Sequence, residues 1–328
     1  MSARLGARLR QWTGDARRSR RAAATIRTPV TANSNATAPP STQSSQNPCV
    51  TAIADDQRYQ REAINNHLLD ADATSDGQGV SAWASTWGHW GNHDGDGNAA
   101  RMSANGGGLL VGADTVVGQT TRLGMAVGTG QISVSTPARG ASADVRTRTA
   151  GLYAGGREGA FEWQAGALYG QENIRTHRTV TVGDLAGRVG SDDDAHAAQG
   201  YVEAAYVFDG SRGSWAPFVN VAYQQLRTPG IHEHGAFGAL NVDADRSGQT
   251  FGMLGVRGEA RLGDSGTAIF GSLGWRHASG DVDSASRMRF AGSDTSFDIQ
   301  GVPVADNAGI ATAGLRFRPA SNVVVDAT

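Results

Sequence analysis

Residues 149–170 read TAGLYAGGREGAFEWQAGALYG. Two alternating runs meet here at a short link, Arg157–Gly159. In the second run Phe161, Trp163, Ala165, Ala167 and Tyr169 share one face, and Glu162, Gln164, Gly166 and Gly170 share the other. Period-two alternation is the signature of a strand, because successive side chains point to opposite faces. The pattern repeats outward. Val202, Ala204, Tyr206 and Phe208 oppose Tyr201 and Glu203. Leu254, Val256, Ala260 and Leu262 oppose Arg257, Glu259 and Arg261. Ile269, Leu273 and Trp275 oppose Ser272 and Arg276.

Alternation alone fits a soluble sandwich as well as a membrane barrel, and the connections separate the two. The pattern places strands near 80–91, 106–117, 120–134, 145–156, 160–177, 198–208, 214–227, 249–262, 267–280, 308–318 and 321–328. Short links at Gly118–Gln119, Arg157–Gly159, Asp209–Gly213, Gly263–Gly266 and Pro319–Ala320 then alternate with long ones at 92–105, 135–144, 178–197, 228–248 and 281–307. Outer-membrane barrels have tight periplasmic turns and longer surface loops. A sandwich has no physical reason to sort its links in this way. Trp90, Phe161, Phe208, Trp215 and Phe317 fall near strand ends, as aromatic girdles require. The reading is all-β: an antiparallel transmembrane β-barrel over 80–328, preceded by a helix.

Composition agrees. The 45 glycines are about 14% of 328 residues, roughly twice the usual share, with no collagen period. Glycine within alternating runs suits sharply curved strands. The net charge of −2 gives no bulk attraction to nucleic acid. Cys49 is the single cysteine, so no internal disulfide forms. No stretch of 18 or more apolar residues exists, which excludes a transmembrane helix. The first 30 residues carry many arginines and no apolar core of a secretory signal. Residues 1–54, with Arg17, Arg18, Arg20 and Arg21 and a Ser/Thr/Asn/Pro-rich stretch, read as a disordered basic tail. Residues 55–72 read as one helix and linker: Tyr59, Ala63, Ile64, Leu68 and Leu69 recur at helical spacing, with Asp55 and Asp56 at the expected N-terminus.

The stretches QREAINNHLLDAD (60–72), GVSAWASTWGHWG (79–91), TAGLYAG (149–155), WAPFVNVAY (215–223), MLGVRGEARL (253–262), GSLGWRHASGD (271–281) and AGLRFRP (313–319) together resemble the autotransporter β-domain family, the translocator barrel of type V secretion. The likeness covers most of residues 56–328. It implies a twelve-stranded barrel in Gram-negative outer-membrane lipid, with a helix threaded through its lumen. It also implies assembly by the barrel assembly machinery and export of an N-terminal passenger. The chain departs from that pattern: eleven strands are legible, the last is short, and Thr328 is not the aromatic residue with which such barrels usually end. The expectation is therefore a barrel lacking its final strand, with no sizeable passenger ahead of the helix. A standalone porin-like channel, or a surface adhesin using the barrel loops, is the alternative.

Candidate sites are few. In some serine-protease autotransporters a lumen Asn–Asn pair is the passenger cleavage point, and the resemblance places Asn65 and Asn66 there. An Asn amide can attack its own backbone carbonyl when buried beside an acidic group. Two polar residues facing a wet lumen is the plainer reading. Arg257, Glu259, Arg261 and Arg276 are expected to line the lumen and pair with each other or with Arg58, Arg61 and Glu62 of the helix. Asp94, Asp96 and Asn98 have the spacing of a calcium loop, but Asn105 stands where a bidentate Glu is needed. His89 with His93, and His232 with His234 around Glu233, lack a convincing zinc geometry. The glycine-rich Asn105–Gly112 lacks the Lys-Ser/Thr of a phosphate loop and suits a strand with a slim inner face. No Ser/His/Asp order, metal or cofactor is called for, and the chain is not read as an enzyme.

Overall fold

The structure is a computed structural model. It describes residues 21–26, 48–72, 79–93, 101–182, 184–235, 238–263, 266–282, 285–300, 304–320 and 323–327. A first strand, β1 (Arg21–Ile26), precedes one helix, α1 (Pro48–Asp72). The long strands follow: β2 (Val80–His93), β3 (Met102–Val117), β4 (Thr121–Thr136), β5 (Ala141–Glu158), β6 (Phe161–Val182) and β7 (Leu185–Tyr206). After them come β8 (Gly213–Thr228), β9 (Asp245–Arg261), β10 (Thr267–Gly280), β11 (Asn307–Ala320) and β12 (Val323–Ala327).

From β2 to β12 each strand pairs antiparallel with the next, so the eleven strands legible in the sequence are all present. β1 pairs in parallel with β2, Arg21 opposite Ser81 and Ile26 opposite Thr86, and also lies alongside β12. It therefore stands at the seam between the first and last antiparallel strands. No helix among the described residues is long and apolar enough to cross a membrane. The outward faces of the strands carry the apolar surface instead: Leu123, Met125, Val127, Leu152, Val202, Leu254, Leu273 and Leu315 are all exposed. Exposed aromatics bracket this band. Phe161 and Trp215 lie near the short turns, and Tyr169 and Tyr223 lie eight positions further along the same strands. Eight residues of tilted strand rise roughly 20–25 Å, the height of a lipid-facing band.

Several boundaries differ from the sequence reading. The segment 178–197, expected as a loop, is mostly ladder, because β6 and β7 pair from Phe161↔Tyr206 out to Val182↔Leu185. Its residues are polar, but cross-strand contacts sustain the pairing: Asn173 donates to Asp192 at 2.8 Å, Arg175 donates to Asp192 at 2.9 Å, and Thr176 meets Ser191 at 2.8 Å. Two of the other long links, 228–248 and 281–307, also carry strands. Ile231–His232, Leu240–Val242, Ala285–Phe290 and Ser296–Gln300 form a small second sheet that joins the β8–β9 connection to the β10–β11 connection. Within the expected disordered tail, Arg21–Ile26 is a strand and α1 begins at Pro48 rather than Asp55. Cys49, Ala52 and Ile53 are buried against the barrel wall, which is what extends the helix.

Candidate functional site

The site is the lumen. α1 lies inside the curled sheet, and its direction follows from what each half touches. Cys49, Ala52 and Ile53 cluster with Met102, Ile132, Val134, Ala143 and Val145, all next to long connections. Ile64 and Leu68 cluster with Trp83 and Tyr153, and Leu68 reaches Gly155 near a short turn. The helix thus enters at the long-loop end and leaves at the short-turn end, where β2 begins.

A helix held inside a lumen must satisfy the polar groups on every face that meets the wall. Asp56 accepts from Trp87 Nε1 at 2.8 Å and from Gln60 Nε2 at 2.8 Å, with His89 at 3.6 Å. Arg61 donates to Gln199 Oε1 at 2.9 Å, and Gln199 donates back to the Gln57 carbonyl at 2.9 Å. His67 meets Asp114 Oδ2 at 2.5 Å. Asp114 also accepts from Arg122 at 2.6 Å and from Tyr153 at 2.8 Å, while Trp83 donates to the Tyr153 hydroxyl at 2.6 Å. Further down, Arg316 binds Asp70 of the helix and Glu259 of the wall, and takes Asp326 at 3.0 Å.

The indoles of Trp83 and Trp87 lie flat across β3, and this explains the glycine run. A Cβ at Gly112 would stand 2.5 Å from the Trp83 ring, and one at Gly108 would stand 2.5 Å from the Trp87 ring. The slim inner face of Asn105–Gly112 therefore makes room for β2 side chains, which in turn carry the helix.

The residues singled out in the sequence fall as follows. Arg58 pairs with Glu62 at 3.6 Å and stacks over Tyr59. Arg257 binds Glu162 at 2.6 Å and Glu203 at 2.5 Å. Arg276 reaches Asp55 at 3.9 Å. Arg261 lies exposed at the end of β9, its backbone N–H donating to Arg212. The direct contacts of these wall charges are therefore with Glu162, Glu203, Arg316, Arg318 and Asp55. Asp55 and Asp56 sit inside the helix and not at its start. Asn65 is buried and donates to Glu203 Oε2 at 3.3 Å, and its own Oδ1 has no hydrogen-bond partner among the described residues; Asn66 is half-buried beside the lumen cavity. Asp94, Asp96 and Asn98 lie outside the described residues. His89 packs on Tyr59 of the helix, with ring centroids 5.0 Å apart, while His232 meets Asn241 and Glu233 pairs with Arg178. The lumen partners Asp56, His67, Asp114, Arg122, Gln199 and Arg316 were not anticipated, since nothing in their local pattern distinguishes an inward from an outward polar residue.

These features define an antiparallel outer-membrane β-barrel with a helix through its lumen. Residues 82–328 match the autotransporter β-domain family, and the chain belongs to that family. It is similar to two extracellular serine proteases of Serratia marcescens, 31% and 30% identical over 283 residues. Those matches take in 84% of this chain and 27% of each relative, so the chain spans about a quarter of their length. The translocator domain of the autotransporter NalP from Neisseria meningitidis has the same fold, with a TM-score of 0.62 at 14% identity over 82% of this chain and 97% of that one.

Proposed function

We propose that this outer-membrane translocator domain anchors and exports a passenger joined ahead of its helix, with outer-membrane lipid and the barrel assembly machinery as partners. The supporting observation is the polarity of α1: its Cys49 end faces the long loops and its Leu68 end the short turns. Chain preceding the helix then emerges at the cell surface, and chain following it returns to the periplasmic side to begin the barrel. The part played here is conformational. The lumen first accommodates the moving segment and is then filled by residues 48–72. Because β1 runs parallel to β2, export of anything joined ahead of Arg21 requires β1 to be out of the seam during passage. A reporter protein placed ahead of residue 48, behind an appended signal peptide, should reach the surface of intact cells. Retention of a folded barrel with the reporter left in the periplasm would overturn the reading.

We also propose that Asn65–Asn66 is a self-cleavage point. Glu203, held by Arg257 through Oε1, presents Oε2 to the Asn65 side-chain amide. The amide nitrogen would bond to the Asn65 carbonyl carbon while passing a proton by way of Glu203 to the Asn66 nitrogen. The peptide bond breaks, leaving a cyclic imide on Asn65 and a new amino terminus on Asn66. Mass spectrometry of the membrane-assembled chain should find a fragment beginning at Asn66. Asn65→Gln should abolish it, and Glu203→Gln should slow it by about 10²-fold, a usual size for general acid–base assistance. A fully intact wild-type chain would refute this proposal.

A further inference from the structure

The outer face of the wall carries an ordered row of charge. Tyr169 and Tyr223 mark the upper edge of the lipid-facing band. Two residues beyond Tyr169, roughly 7 Å further along the strand, one register row crosses five strands. Arg148 of β5 stands opposite Gln171 of β6, and Gln171 opposite His196 of β7. His196 stands opposite Arg227 of β8, and Arg227 opposite Arg246 of β9. The chain neighbours Thr147, Glu172, Ala197, Leu226 and Ser247 are buried on the inner face, so all five members of the row point outward. The row holds three arginines and a histidine and no carboxylate. At the short-turn end a comparable row reads Glu158, Phe161 and Tyr206, with no arginine.

Arg227 and Arg246 are the centre of this row. Like charges directly opposite on neighbouring strands repel, with Cβ atoms about 5 Å apart. Both side chains are exposed. Arg246 donates to the neutral amide of Gln225 at 2.8 Å, and Arg227 has no side-chain partner among the described residues. Asp194, the next outward residue of β7, is already engaged by Asn173 at 3.2 Å. His196 is held beside the pair. Its ring stacks on Tyr169 with centroids 5.9 Å apart, and its Nδ1 lies 3.0 Å from the Tyr169 hydroxyl. Its Nε2 has no partner among the described residues. What the arrangement lacks is an anion. Phosphate matches it, because guanidinium groups grip phosphate oxygens in pairs and two arginines can share one group. The position selects the source. The row sits on the lipid side of the wall, one step beyond the tyrosines that mark the interface, where headgroups begin.

We propose that Arg227 and Arg246, flanked by His196, form a site for a phosphate group carried by an outer-leaflet lipid headgroup. This rests on the outer-membrane barrel reading and on the long connections facing the cell surface. The full chain is folded in detergent micelles, and folding is scored separately by heat-modifiable migration on gels. Native mass spectrometry then compares retention of bisphosphorylated lipid A with that of its dephosphorylated form. The wild type should retain the phosphorylated lipid at least ~10-fold better, and Arg227→Gln/Arg246→Gln should abolish that preference, as the loss of charge-assisted hydrogen bonds implies. Arg227→Lys/Arg246→Lys, which keeps the charge, should restore part of it. Arg212→Gln, at the short-turn end, should leave it intact. Equal retention of the two lipids by the wild type would overturn the site, as would an unchanged preference in the folded double glutamine variant. An equal loss in Arg212→Gln would also overturn it, because net charge alone would then explain retention. Displacement of the lipid by an equal concentration of inorganic phosphate would assign the site to the free ion and overturn the lipid as its ligand. A wild-type chain that never shows heat-modifiable migration would overturn the barrel reading beneath the site.

Discussion

At the scale of single residues, the lumen is held by charge that has nowhere else to go. Arg316 projects from β11 and gathers Asp70, Glu259 and Asp326, one carboxylate from the helix and two from the wall. Breaking a buried pair by removing one partner costs far more than the pair contributes, because the remaining charge loses its compensation. Arg316→Ala should therefore destabilise the folded barrel by about 3–5 kcal/mol, seen as a lower midpoint for the heat-induced gel shift, with Arg316→Lys recovering part of it. An unchanged midpoint would mean the cluster is incidental. Of these, only Glu259 was legible beforehand as a lumen residue; Arg316, Asp70 and Asp326 were not. In a lumen, an inward carboxylate and a solvent-facing one occupy equivalent positions of the same alternating pattern. The glycines were legible as a slim strand face, but not their use. Only the placement of Trp83 and Trp87 across Gly112 and Gly108 shows that the space belongs to neighbouring indoles.

The elements tell a different story. Strand number and the sorting of short and long links were readable because a lipid-facing band forces alternation on every strand that crosses it. Strand ends were not. The β6–β7 arm continues well beyond the band on polar pairs such as Arg175–Asp192, where hydropathy falls silent but hydrogen bonding does not. The helix was recognised from Tyr59, Ile64 and Leu68, yet its first two turns were assigned to the tail. The overlooked signal is Pro48, a residue favoured at the first helical position, followed by the small apolar run at Cys49–Ile53. That extension has a consequence. Cys49 is enclosed between the helix and the outer half of the wall. A membrane-impermeant maleimide should label it at least ~10-fold more slowly in the folded barrel than after thermal unfolding, since thiol reactivity follows access. Equal rates would place the upper helix outside the lumen.

For the whole molecule, the central claim is directional: a β-domain spans the outer membrane, and its helix descends from the cell surface to the periplasm before the first barrel strand. The family, the alternating links and the two packing clusters of α1 all converge on that arrangement. Its most direct test is cysteine accessibility on living cells. In a Cys49→Ser background behind a signal peptide, one chain carries Ser45→Cys just ahead of the helix, and another carries Ser75→Cys just after it. The account predicts that the impermeant reagent labels position 45 on intact cells, and position 75 only after the outer membrane is permeabilised. The reverse pattern, or equal labelling of both in a folded barrel, would contradict it.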